Sequence, residues 1–176
     1  MEIVLVVMVV FSFAVVGWLA IAQSGEPPAP GKPAPAIRLA GTQGEEQSLP
    51  SPGQRVVLVF HPQDETPECV AVVERLCAAA PRLEAAGVLL ATVVVSTREA
   101  AAAYGDAHGQ GLRVLCDPDG RATKAYGALV NLGFLKFARK LFVLVDAHGR
   151  VERVWRDAVG PQHVEELLAA LAVPAR

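Results

Sequence analysis

Cys69, at the end of the segment FHPQDETPEC (60–69), is the residue of this sequence best placed for nucleophilic chemistry. A cysteine attacks as its thiolate, and the thiol pKa falls when the sulfur lies at a helix N-terminus or beside a cation. Thr66 is a suitable N-cap residue, and Pro67 fits the first helical position. We therefore expect a helix to begin here, with free backbone N–H groups that stabilise a thiolate at Cys69.

The two other cysteines, Cys77 and Cys116, form no CxxC pair and no Cys/His zinc pattern with the first. Cys77 lies eight residues into the predicted helix, on the side that carries apolar residues, and we interpret it as a core residue. Trp155 and the four histidines belong to no motif, so structural or solvent roles are expected for them. The sequence implies no metal and no organic cofactor.

Apolar runs and helical periodicity indicate the elements that position Cys69. Residues 55–60 and 87–96 are continuous apolar runs typical of buried strands, and 69–86 between them has helical spacing. Such a βαβ unit implies parallel strands. The order βαβαβαββα predicts an α/β thioredoxin-like fold, a central mixed sheet flanked by helices. The further predicted elements are helix 97–108, strand 112–116, a short helix after 117–120, strands 141–145 and 151–155, and helix 161–171.

Composition excludes several functional classes. A formal net charge of -2, without a cluster of lysines or arginines, lacks the positive surface that nucleic-acid binding requires. The 176 residues are 52% apolar and 19% charged, so the chain is not a disordered polar segment. We expect one compact domain of ordinary size and no nucleic-acid partner.

The N-terminal segment 3–22 carries no charge and would extend about 30 Å as a helix, so it predicts a membrane span. A cleaved signal peptide is the alternative, because residues 20–22 have a small-x-small form. Positive charges downstream formally favour a cytoplasmic C-terminus, whereas the five prolines of 23–35 resemble the tether of exported redox proteins. We expect an anchor (1–22), a linker (23–35) and a domain (36–176), with the domain on the outer face.

The spacing Pro62-x3-Thr66-x2-Cys69 matches the PxxxTxxC motif of peroxiredoxins. The chain resembles the bacterioferritin comigratory branch of that family over about 31–171. The resemblance includes Ser96-Thr97 after the second strand, and the other matching features are Cys116-Asp-Pro-Asp-Gly120, Tyr126-Gly127 and Arg139-x2-Phe142-x3-Asp146.

The resemblance implies a thioredoxin-fold thiol peroxidase in which Cys69 attacks a peroxide and becomes a sulfenic acid. Thr66 would hydrogen-bond the peroxide, Pro62 would form the pocket wall, and Arg139 would supply a guanidinium to the departing oxygen. The substrate would be hydrogen peroxide or an organic hydroperoxide. A thioredoxin-like protein or a low-molecular-weight thiol would return the electrons.

The chain departs from the family near the nucleophile. His61 replaces an aromatic residue before the motif proline, Val72 replaces an acidic residue, and Glu68 stands where glycine is frequent. Negative charge at Asp64 and Glu65 would also raise the thiol pKa. Where relatives have a resolving cysteine five residues after the nucleophile, this chain has Glu74. Cys116 and an external thiol therefore remain the candidates for resolving the sulfenic acid, and we expect the external thiol.

Two other functions are consistent with such a chain. A membrane-anchored thiol-disulfide oxidoreductase usually needs CxxC and a proline before the fourth core strand, where this chain has Thr66-Pro-Glu-Cys69 and Lys140-Leu141. A non-catalytic scaffold with an eroded site is the alternative outside enzymes. Rapid mixing with peroxide distinguishes the scaffold from an enzyme.

Overall fold

The chain was analysed as a computed structural model that describes residues 4, 6–8, 10–12, 14–15, 25–156 and 159–172. Helices and strands alternate through most of the described region from residue 37 onward. The helices are α1 (Pro67–Ala85), α2 (Arg98–His108), α3 (Arg121–Ala125) and α4 (Gln162–Ala172). The strands are β1 (Ile37–Gly41), β2 (Glu46–Leu49), β3 (Arg55–Phe60), β4 (Val88–Val94), β5 (Arg113–Cys116), β6 (Leu129–Asn131), β7 (Lys136–Ala138), β8 (Leu141–Val145) and β9 (Val151–Trp155).

Seven strands form one mixed sheet in the order β2-β1-β5-β4-β3-β8-β9. Strands β3, β4 and β5 are parallel, and helices α1 and α2 make the crossovers that parallel pairing requires. Strands β8 and β9 pair antiparallel at one edge, and β1 and β2 at the other. This is the predicted thioredoxin-like α/β arrangement. Two hairpins, β1–β2 and the separate β6–β7, were not part of the predicted order.

Strand β3 lies at the centre and is buried on both faces. Alternate residues point to opposite sides of a strand, so Val56 and Leu58 join one core while Val57 and Val59 join the other. The second core is covered by α1 and α4, with Leu76 of α1 fully buried against the sheet. The packing of α1 on the sheet fixes the position of the helix start, which follows β3 after the loop 61–66.

The predicted membrane anchor is contradicted. Among the residues that the structure describes, no helix has both the length and the apolar character needed to cross a membrane. Most of the predicted span 3–22 lies outside the described residues. The divisions at 22 and 35 remain predictions from the sequence.

Candidate active site

Cys69 lies in the first turn of α1, a few residues after the end of β3. Thr66 is the N-cap residue with extended backbone, and its hydroxyl oxygen accepts a hydrogen bond from the Cys69 backbone N–H at 3.4 Å. Pro67 stands at the helix start, where its missing N–H costs nothing. The cap predicted from the sequence is therefore confirmed. Cys69 itself is only 2% exposed, so its thiol is largely withdrawn from solvent.

Asp64 organises the loop that leads into α1. Its Oδ1 accepts a hydrogen bond from the Thr66 hydroxyl at 2.7 Å and from the Thr66 backbone N–H at 3.3 Å. The Asp64 carboxylate also lies close enough to the Cys69 thiol to affect its pKa. From the sequence we treated Asp64 as a nearby charge only. Its position two residues before the N-cap, typical of an Asx turn, was the signal for a structural role.

Burial raises the pKa of the Cys69 thiol, and the hydrogen bond to the Asp64 carboxylate raises it further. The Thr66 hydroxyl and the charge of Lys140 act in the opposite direction without reversing the shift. Burial also acts to raise the pKa of Asp64, but its hydrogen bonds to Cys69 and Thr66 leave that pKa below its usual value. The increase in the thiol pKa expected from Asp64 is thus found. Burial adds to it, and the decrease expected from the helix start does not prevail in the resting site.

Three neighbouring rings, which we call the aromatic stack, link α2 to the loop that leads into α1. The ring of Tyr104 in α2 lies between those of His61 and His108, with centroids 5.8 Å and 5.0 Å away. The Tyr104 hydroxyl donates to the Asp64 backbone carbonyl at 3.2 Å. Burial lowers the pKa of His61 to about 4 and raises that of Tyr104 to about 12, so both are neutral at pH 7.

Sequence reasoning missed this stack. Tyr104 and His108 are four residues apart on one helix, so they share a face, and that spacing was the available signal. His61 comes from a different segment and could be joined to them only by the fold. The stack packs α2 against the active-site loop and so helps to hold Asp64 and Thr66 in place.

Lys140 is a second residue that sequence reasoning did not place at the site. Its Nζ lies 3.2 Å from Oε1 of Glu68, the residue before Cys69. The Lys140 side chain is 19% exposed, whereas that of Glu68 is 59% exposed. The cationic side chain of Lys140, which is mostly covered, therefore contacts the residue next to Cys69.

Of the remaining predicted site residues, Pro62 lies in the same loop as Thr66, whereas Arg139 has other partners. Pro62 precedes the turn, and its carbonyl accepts the Asp64 N–H at 2.6 Å, which places it in the same loop. The Arg139 guanidinium donates to the backbone carbonyls of Gly127 and Gly25, from Nε at 2.9 Å and from one terminal nitrogen at 3.2 Å, respectively. The structure thus joins Pro62, Thr66 and Cys69. It records no contact between Arg139 and these three, and the role of Arg139 stays a prediction.

Cys116 and Cys77 lie in other surroundings. Cys116 ends β5 beside Val94, with β4 between it and β3, and the charges around it are those of Arg98, Glu45 and Glu99. Cys77 is half-buried and its sulfur lies 3.9 Å from the His108 carbonyl, so it is less enclosed than a core residue. All three cysteines are free thiols.

The positions where the chain departs from the expected pattern have clear environments. Val72 is buried in the core beneath α1, so an acidic side chain there would lose its water. Glu74 is exposed on the same helix. In the described part of the chain, no group of three or more His, Cys, Asp or Glu side chains is arranged to hold a metal ion.

Comparison with known proteins places the chain among relatives of one kind. The family model described as "AhpC/TSA family" matches residues 30–154. A putative peroxiredoxin bcp of Coxiella burnetii is 26% identical over 80% of this chain and 97% of its own length. The peroxiredoxin Bcp of Bacillus subtilis is 27% identical over 80% of this chain and 93% of its own length.

A solved structure shows the same fold. The peroxidoxin BcpB of Mycobacterium tuberculosis superposes with a TM-score of 0.76 at 18% identity, and covers 85% of this chain and 99% of its own. At that identity the likeness shows the fold alone, and it confirms the thioredoxin-like prediction.

Proposed function

The chain belongs to the AhpC/TSA family and is a thiol-dependent peroxidase, and we propose that Cys69 is its nucleophile. The observation that carries the proposal is the position of this thiol. It lies in the first turn of α1, and the Thr66 hydroxyl caps its backbone N–H. Such a site offers N–H groups and a hydroxyl to negative charge. The motif Pro62-x3-Thr66-x2-Cys69 supports the same assignment.

The proposed reaction is a two-electron transfer. The Cys69 thiol, which lies beside the Asp64 carboxylate, first loses its proton to solvent. The thiolate then attacks one oxygen of ROOH, the S–O bond forms and the O–O bond breaks. Cysteine is oxidised to sulfenic acid, and the departing RO⁻ takes up a proton to leave as an alcohol, or as water when R is hydrogen. The substrates are hydrogen peroxide or organic hydroperoxides.

Thr66 is proposed to exchange its hydrogen-bond partner during the reaction. Its hydroxyl donates to Asp64 in the resting site and would donate to the peroxide when substrate binds. The N–H groups of the first turn and the Thr66 hydroxyl would then stabilise the charge that develops on the departing oxygen. Pro62 shapes the loop from one side.

A second thiol must reduce the sulfenic acid. Cys116 and Cys69 lie in separate surroundings, and each is a free thiol. We therefore propose one-cysteine behaviour, with electrons from a thioredoxin-like protein or a low-molecular-weight thiol. Reduction by an external thiol forms a mixed disulfide and releases water, and a second thiol equivalent then restores Cys69.

A stopped-flow experiment tests the proposed function. The full chain is mixed with hydrogen peroxide, the reaction is stopped at millisecond intervals by excess alkylating reagent, and the remaining Cys69 thiol is measured by mass spectrometry. An enzyme should lose the thiol orders of magnitude faster than free cysteine does. Loss at the rate of free cysteine would favour the scaffold. Fast reduction of a disulfide substrate without peroxide consumption would favour the oxidoreductase.

A further inference from the structure

Lys140 is brought to the active site by the register of the central sheet. Strand β8 pairs antiparallel with β3, and Leu141 lies opposite Phe60. The next residue outward on each strand is Lys140 on one side and His61 on the other. The active-site loop leaves the sheet at His61, so Lys140 lies at the edge from which the loop and α1 begin. Its neighbour Leu141 is fully buried, which fixes the backbone there.

The ammonium group of Lys140 is held by an ion pair beside the residue that precedes Cys69. Nζ lies 3.2 Å from Glu68 Oε1, and Glu68 immediately precedes Cys69 in the first turn of α1. The side chain of Lys140 is largely covered, so its charge is less screened by water than that of a surface lysine. Its charge acts on both neighbours, since it lowers the pKa of the Cys69 thiol and that of the Asp64 carboxyl.

Other charged or titratable groups lie near Cys69 on each surrounding element. Asp64 lies in the loop, Glu68 on α1, and Tyr104 on α2. Asp64 and Glu68 are negative, and Tyr104 is neutral because its pKa is raised to about 12. Lys140 supplies positive charge against the two carboxylates. Without it, a thiolate at Cys69 would form in a negative environment.

Arg139, the adjacent cation, is occupied elsewhere. Its guanidinium donates to the carbonyls of Gly127 and Gly25, away from the first turn of α1. Two neighbouring residues of the chain thus have different partners. Arg139 donates hydrogen bonds to backbone carbonyls, and Lys140 forms an ion pair with Glu68, the residue next to the proposed nucleophile.

We propose that Lys140, rather than Arg139, is the cation that stabilises the Cys69 thiolate and the charge that develops on the departing peroxide oxygen. In the resting site Glu68 holds Lys140, and a bound peroxide competes for the ammonium group. The part of this inference that concerns the departing oxygen rests on the proposed peroxidase function. The part that concerns the thiolate does not depend on peroxide.

Four variants of the full chain test the assignment: Lys140→Met, Lys140→Arg, Glu68→Gln and Arg139→Met. For each, the rate of Cys69 alkylation is measured against pH by peptide mass spectrometry, and peroxide consumption by stopped flow. Lys140→Met should move the alkylation midpoint to higher pH and slow the peroxide reaction roughly 10- to 100-fold. Lys140→Arg, which keeps the charge, should restore most of both. Glu68→Gln should move the midpoint to lower pH, and Arg139→Met should leave it in place.

An unchanged alkylation midpoint in Lys140→Met, or a shift in Arg139→Met instead, would overturn the proposal. Circular dichroism of Lys140→Arg and Lys140→Met separates an electrostatic effect from misfolding. The Lys140 assignment and the peroxidase function are overturned by different results. If the wild type consumes no peroxide but its alkylation midpoint still depends on Lys140, the thiolate assignment stands and the peroxidase function falls. If the wild type consumes peroxide rapidly and Lys140→Met changes nothing, only the Lys140 assignment falls.

Discussion

The hydroxyl of Thr66 donates a hydrogen bond to Oδ1 of Asp64, with 2.7 Å between the two oxygens. The Thr66 hydroxyl oxygen also accepts a hydrogen bond from the Cys69 N–H at 3.4 Å, so the hydroxyl acts as both donor and acceptor in the resting site. A peroxide that uses this hydroxyl as donor must displace Asp64. The competition links the chemistry of Cys69 to the position of one carboxylate in the preceding loop.

The assignment of the nucleophile predicts a contrast between two cysteines. Cys69→Ser should abolish peroxide consumption, because serine at this site is a far weaker nucleophile. Cys77→Ser should keep most of the activity, since that thiol lies two turns further along α1 and contacts the His108 carbonyl. Peroxide loss under steady thiol supply measures both. The reverse pattern would show that the motif has been misinterpreted.

Thr66 should contribute to catalysis beyond its role as a helix cap. Thr66→Val should destabilise the fold by about 1 kcal/mol through the lost cap and slow the peroxide reaction roughly 10²-fold. Thr97→Val is the matched control, because Thr97 caps α2 in the same way by accepting the Ala100 N–H at 3.4 Å.

Thr97→Val should lose similar stability and little rate. Urea unfolding and stopped-flow kinetics of the two variants make the comparison. Equal rate losses in both would mean that Thr66 acts only through the helix.

Removal of the carboxylate at Asp64 should make Cys69 more acidic. The Asp64 carboxylate raises the pKa of this thiol, both as a hydrogen-bond acceptor and by its charge. Asp64→Asn should therefore move the alkylation profile of Cys69 to lower pH. Asp106→Asn, an exposed site on α2, should leave the profile in place. A shift to higher pH in Asp64→Asn would contradict the hydrogen-bond arrangement described here.

His61 should make stability depend on pH. Its folded pKa is lowered to about 4 by burial, so below its unfolded value of 6.5 the unfolded chain binds more protons than the folded chain. Stability should thus be fully present above pH 6.5 and decline as pH falls towards 4, by about 3 kcal/mol at most. Urea midpoints measured between pH 7 and pH 4 test this.

His61→Phe, which keeps an aromatic ring against Tyr104, should flatten the dependence. His148→Gln, at an exposed turn, should not. An equally steep dependence in His61→Phe would assign the effect to other groups.

Resolution of the sulfenic acid should be external. After one equivalent of peroxide, non-reducing peptide mapping should show Cys69 as sulfenic acid, or as an adduct when a small thiol is present, and Cys116→Ser should turn over normally. The reason is that β4 separates the strand of Cys116 from β3. A dominant crosslink between Cys69 and Cys116 would contradict this prediction and leave the peroxidase function intact.

Local signals in the sequence determined most of the main elements and the start of the helix that carries Cys69. The buried strand 55–60 and the capped helix start at Thr66-Pro67 follow from short-range chemistry, and the structure has both. The predicted strands 141–145 and 151–155 also match β8 and β9. Each of these features depends on residues that lie close together in the chain, so the sequence carries the signal directly.

Only the tertiary structure decided which side chains meet at the sulfur. Lys140 is 71 residues from Cys69 and is brought to the adjacent Glu68 through the pairing of β8 with β3, and Tyr104 reaches the loop through the packing of α2. The resemblance led us to expect the cation at Arg139, since spacing alone cannot show where a side chain points. Burial of Cys69 was equally invisible, and it adds to the expected effect of Asp64 in raising the thiol pKa, because loss of water disfavours the charged form.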